Sequence, residues 1–199
     1  MSTRATYEID GSIFYIHHDG YPAGAAFYLF NMVKASNAAG NRTGWDVWDS
    51  QNCRGGLAFA FIRGNGNCEP TDHHDAHGDT EYRYTVKTDH GAPHKGATVR
   101  VDIRCGDWLN PRWETRYFMP LVDFINAQYR TDQTPAPAVV YIPSEKRICT
   151  LTQANRAFDA LNADAKRFEP SNPNHGASIE RRDAIAQTVQ QASAESANA

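Results

Sequence analysis

The stretch "TRATYEIDGSIFYIHHDGYPAGAAF", residues 3–27, carries the first strand pair and the entry to the first helix. Thr3 to Ile9 and Ser12 to His18 are rich in β-branched and aromatic residues, and Asp10-Gly11 between them supplies the two positive φ angles of a type I′ turn. A two-residue turn sets the register by counting: Ile9 faces Ser12, Tyr7 faces Phe14, Ala5 faces Ile16 and Arg4 faces His17. Side chains alternate along a strand, so Ala5, Tyr7, Ile9, Phe14 and Ile16 share an apolar, buried face. Arg4, Thr6, Glu8, Tyr15 and His17 share the other. The same alternation sends His17 and His18 to opposite faces, which argues against their acting as an adjacent pair. Pro22 suits a first helical turn, and Ala26, Phe27, Phe30, Val33 and Lys34 are spaced for a helix over 23–36. Asp19 is expected to cap that helix and Gly20 to make the turn before it. The motif His17, His18, Asp19, Gly20, Tyr21 therefore reads first as strand, turn and helix entry, and second as a candidate ligand or catalytic site.

Beyond it, residues 56–63 predict a short helix that Gly64-Asn65-Gly66-Asn67 ends. The polar loop "CEPTDHHDAHGD" follows, then two alternating strands over 80–87 and 98–105 joined by "TDHGAPHKG". Tyr82, Tyr84, Val86, Val99, Val101 and Ile103 form their apolar face. Glu81, Arg83, Lys87, Arg100, Asp102 and Arg104 form a mixed-charge face, expected to be solvated. Residues 118–130 predict an amphipathic helix. "TDQTPAPA" reads as a linker, Val139 to Ile142 as a short strand and 150–168 as a helix that "EPSNPNHG" stops. The stretch from Ser178 is expected to be a solvent-exposed helix or a frayed tail. The resulting fold class is α+β: an antiparallel sheet of two hairpins with helices packed on one face, followed by C-terminal helices. The expected organisation is a sheet domain over 1–130, a linker and packed helix over 131–177, and a tail over 178–199.

The chain has 199 residues and a formal charge of −3, without the Lys and Arg excess that phosphate backbones demand, so nucleic acid is not the primary partner expected. No apolar run approaches the roughly 20 residues of a membrane span, and the start shows no apolar signal region, so no membrane association and a cytoplasmic location are expected. Cys53, Cys68, Cys105 and Cys149 form no CxxC and read as free thiols.

"STRATYEI" followed by "FYIHHDGYPAGA" resembles the opening of a group of poorly characterised bacterial, phage and plasmid proteins. In that group a Thr-Arg strand leads to a His-x-Asp-Gly-Tyr-Pro turn. "HGDTEYRYTV" is similar to a later segment of some of them. The resemblance implies no catalytic residues. It implies a setting, that of small accessory proteins of mobile elements, many of which bind host machinery including defence systems.

Two candidate sites remain. Asp72, His73, His74, Asp75, His77 and Asp79 gather imidazoles and carboxylates in one loop, a mix that suits zinc or another divalent metal. The candidate ligands are His73, His74, Asp75 and His77, although no His-Glu-x-x-His signature is present. Trp45, Trp48, Trp108, Trp113, Arg116 and Tyr117, with Phe118, lie in two short polar segments, and these residue types carry energy at protein interfaces. The economical reading is a non-enzymatic, cofactor-free accessory protein that binds a host protein or complex and inhibits a defence system. The alternative is a metal-dependent enzyme built on the histidine loop.

Overall fold

Strand β1 (Ala5–Ile9) pairs antiparallel with β2 (Ser12–Ile16) in the counted register, with Ala5 opposite Ile16, Tyr7 opposite Phe14 and Ile9 opposite Ser12. Asp10 and Gly11 have φ of +47° and +89°, as the primed turn requires. The Asp10 carboxylate also accepts from the backbone N–H and the hydroxyl of Thr88 at 2.9 and 3.0 Å, tying the turn to the end of a neighbouring strand. The computed structural model describes residues 3–38, 56–88, 97–106, 110–129, 139–142, 147–167 and 173–197.

After α1 (Pro22–Ala38) and α2 (Gly56–Gly64) come β3 (Glu69–Thr71), β4 (Tyr82–Thr88), β5 (Ala97–Cys105) and β6 (Arg112–Pro120). The six strands form one sheet in the order β3-β2-β1-β4-β5-β6, antiparallel except where β1 runs parallel to β4. The expected α+β class stands, and both expected hairpins are present. They are joined side by side through the parallel pair, and β3 and β6 extend them at the two edges.

Helix α3 (Leu121–Gln128) joins α1 and α2 over the inner face. Tyr7, Tyr84 and Phe61 meet at the centre, Tyr7 and Tyr84 stacked 4.9 Å apart and Tyr7 and Phe61 5.0 Å apart. The buried Asn65 side chain donates to the carbonyls of Phe61 and Tyr28, both at 3.0 Å, closing α2 and fastening it to α1.

Beyond β6 and a strand at Arg147–Thr150, neither anticipated from the sequence, three departures have local causes. The helix predicted from Phe118 starts at Leu121, because Pro120 holds the residue before it in extended conformation and leaves Phe118 to Pro120 in β6. The polar loop contains β3, where Pro70 sits on an edge strand. Pro173, expected to belong to a helix stop, begins α5 (Pro173–Ala197), since the first helical position needs no N–H from it.

The predicted short strand is β7 (Val139–Ile142), and it pairs with β8 (Arg147–Thr150). Val139 and Ile148 enter the main core, while Val140, Ile142 and Cys149 face Ala154 and Ile185 of α4 (Leu151–Arg167) and α5. Burial on both faces explains why "VVYI" is apolar without alternation. The Asn126 amide pairs with both backbone groups of Val139 at 3.0 and 3.1 Å. Thr150 and Gln153 form a reciprocal capping box at the start of α4. Among the described residues, no helix is long and apolar enough to cross a membrane.

Candidate binding face

The outer face of the sheet is not simply solvated. Residues 72–79 cross it as a strap made of short turns, with the Ala76 N–H on the His73 carbonyl at 3.2 Å and the Thr80 N–H on the His77 carbonyl at 3.3 Å. Four side chains of the strap, His74, Asp75, His77 and Asp79, engage the sheet. His74 lies between Thr6 and Glu8, its Nδ1 2.7 Å from Thr6 Oγ1 and its Nε2 3.3 Å from a Glu8 carboxylate oxygen. His77 stacks on Tyr15 with ring centroids 3.7 Å apart and planes 6° from parallel. Asp75 takes the Arg83 guanidinium, which lies 3.6 Å from the Trp113 ring centroid on its other side. Asp79 accepts from the Tyr15 hydroxyl at 2.8 Å and forms an ion pair with Arg4, whose Nε lies 2.7 Å from its carboxylate. Burial, reinforced by the hydrogen bond to Asp79, pushes the Tyr15 phenol up to about 12, so it remains a donor throughout the neutral range. Arg104 reaches the Gly78 carbonyl at 2.6 Å. Burial of Thr6 and Tyr15, both expected on the polar face, follows from this cover.

The proposed metal ligands are therefore not brought together. His73 is exposed, His74 and His77 turn to separate partners on the sheet, and Asp75 is engaged by Arg83. Among the described residues no three His, Cys, Asp or Glu side chains form a group that could hold a metal ion. Burial pushes the Cys68 thiol up, away from the thiolate that a soft metal would need. The Thr6–His74–Glu8 chain has the order of a nucleophile, base and orienting acid. Thr6, however, is 0% exposed, so no substrate reaches its hydroxyl and the chain serves to position the strap. Replacing His74 by Ala is expected to cost about 1–2 kcal/mol through the hydrogen bonds lost to Thr6 and Glu8. Hydrogen exchange of residues 72–80 should accelerate selectively; unchanged exchange there would show that His74 does not hold the strap.

The His17–Tyr21 motif is a turn held from below. Asp19 has φ +55° and the Gly20 N–H donates to the Thr3 carbonyl at 2.9 Å. The Tyr84 and Tyr28 hydroxyls donate to the Gly20 and His18 carbonyls at 2.8 and 3.2 Å. Tyr21 directly precedes α1 and holds the cap position expected for Asp19, which lies two residues earlier and shapes the turn through its backbone. β2 ends at Ile16, so strand alternation stops and the His17 and His18 rings lie 6.2 Å apart rather than on opposite faces. His17 pairs with Glu69 at 2.9 Å.

Of the aromatic candidates, Trp45, Trp48 and Trp108 lie outside the described residues. Tyr117 faces inward, edge-on to Phe124. Trp113 supports Arg83, and Arg116 is the exposed extra residue of a bulge, since Tyr117 pairs with Val101 and Thr115 with Asp102. Phe118 stands out: it lies opposite Arg100 on the outer face and is 73% exposed. Its place on that face follows only from the β6 register, which sequence reasoning missed. A second apolar surface is a groove of about 490 Å³ between α2 and the β2–β3 edge, lined by Ile13, Phe14, Phe59, Ile62 and Pro70.

No family model, curated protein or solved structure matches the chain.

Proposed function

We propose that this protein acts by binding another protein through the outer face of β4, β5 and β6, with Phe118 as the anchor. The observation that supports this is the exposure of Phe118, 73%, on a strand paired into the sheet, with Arg100 directly across from it. A large aromatic on a paired strand loses little conformational freedom on binding and gains much from burial in a partner's pocket. Recognition would run through side chains rather than strand addition. β6 is an edge strand, but its bulge and the exposed Arg112, Glu114 and Arg116 interrupt the edge that an added strand would need. In the setting implied by the N-terminal resemblance, the proposed partner is a host protein complex and the proposed outcome is inhibition of host defence. The metal-dependent alternative would require His74, Asp75 and His77 to leave their partners on the sheet, and we do not propose it.

The test is affinity capture from bacterial host lysate with the wild-type protein and Phe118→Ala, followed by mass spectrometry. A partner recovered near stoichiometry is expected, and its affinity should fall about 30-fold in the variant, as for an interface hot spot of ~2 kcal/mol. Phe118 touches solvent, so the variant should unfold at the wild-type denaturant midpoint. Equal capture by both proteins would remove this face from consideration.

A further inference from the structure

Among the described residues, cations outnumber carboxylates on the outer face of β4–β6. Register and alternation place Arg83, Thr85 and Lys87 of β4, Thr98, Arg100, Asp102 and Arg104 of β5, and Trp113, Thr115 and Phe118 of β6 on it. At the Trp113 end the strap brings Asp75 to Arg83. At the Phe118 end the carboxylate among the described residues of these three strands is Asp102, 8% exposed and occupied by Arg100 Nε at 2.9 Å and the Thr115 hydroxyl at 2.6 Å, while Glu8 of β1 borders the face at Thr85. Phe118, Lys87 and Arg100 are all exposed there. This excess of cations stands on a chain whose formal charge is −3.

We infer that the partner presents an acidic segment, with carboxylates flanking an apolar side chain that packs on Phe118. This inference rests on the reading of the face as a protein-binding surface and adds the chemistry of what binds there. Solvent-exposed charges steer and select a partner more than they tighten it, so the carboxylates supply specificity and the apolar contact supplies the anchor. A single-stranded nucleic acid would use the same cations, but strands of bases call for successive stacking platforms. Here the second outer-face aromatic of β6, Trp113, already carries Arg83 on its ring.

Fluorescence anisotropy with three labelled probes tests this: a Glu-Glu-Leu repeat peptide, a Lys-Lys-Leu repeat peptide and an oligothymidylate. The glutamate peptide is expected to bind, more weakly as salt rises, and to lose about tenfold in affinity in Lys87→Glu and in Arg100→Glu. Lys87→Glu guards against a folding defect in Arg100→Glu, whose new carboxylate would face Asp102. If the lysine peptide binds equally well while Phe118→Ala still abolishes binding, the acidic partner is wrong and the protein-binding face stands. If the oligothymidylate binds more tightly than either peptide, both are wrong. Absence of glutamate-peptide binding at about 1 mM overturns the inference, leaving the binding face to be judged by the capture experiment.

Discussion

Tyr84→Ala is expected to remove about 3–5 kcal/mol of stability, enough to unfold the chain or leave it marginal. Tyr84 has no exposed surface and stacks on Tyr7 at the centre of the sheet's inner face. Its hydroxyl also reaches the Gly20 carbonyl at 2.8 Å, so truncation both empties a ring-sized volume and leaves a buried carbonyl without its donor. Phenylalanine separates the two effects. Tyr84→Phe should still cost about 1–3 kcal/mol, because the ring stays and the carbonyl is orphaned. Tyr7→Phe should be neutral or stabilising, because the buried Tyr7 hydroxyl has no hydrogen-bond partner and removing it ends a desolvation penalty. Two stacked tyrosines thus respond differently to one substitution, a loss at Tyr84 and none at Tyr7, which urea denaturation of the three variants would read directly. A loss in Tyr7→Phe equal to that in Tyr84→Phe would contradict the assigned hydrogen bonds.

Gly24→Ala is expected to destabilise by about 1–3 kcal/mol or more, although it lies in a helix. In a helix interior free of contacts the same change adds roughly 1 kcal/mol of stability. Here a Cβ on Gly24 would lie 2.0 Å from the Asp19 carbonyl oxygen, and that oxygen belongs to a turn that cannot retreat. Asp19 is already in the left-handed region, and the next residue, Gly20, is pinned by Thr3 and Tyr84. Gly20 is constrained from the other side, where a Cβ would meet the Arg4 carbonyl carbon at 2.7 Å and Ala5 Cβ at 2.8 Å. Gly20→Ala should therefore act in the same direction, by forcing the turn away from β1. Thermal and denaturant midpoints would check both; a stabilised Gly24→Ala would mean that the turn does not sit over α1 as described.

These glycines show where reading the chain stops. Gly20 was legible as a turn residue because Asp-Gly before Tyr-Pro is local turn chemistry. No local pattern marks Gly24, since the atom that forbids its side chain comes from the preceding turn folded back onto the helix. The histidine loop shows the same limit at longer range. Its composition matched a metal site, but His74 is satisfied by Thr6 and Glu8, 68 and 66 positions away, and no local pattern encodes such pairs. The β6 register was missed for a related reason: its inward Tyr117 and Met119 are separated from the outward Trp113 and Thr115 by the bulge at Arg116, which breaks strict alternation.

By itself the sequence determined the α+β class, the β1–β2 register, the inner face of both hairpins and the start of α1, because each rests on interactions within a few residues and on the period-two rule. Only the tertiary structure decided that β1 and β4 run side by side in parallel, that residues 72–79 strap the polar face, and that Phe118 is left outside. Each of those depends on which distant groups meet once the core has closed, where burial and hydrogen-bond satisfaction override the local signal.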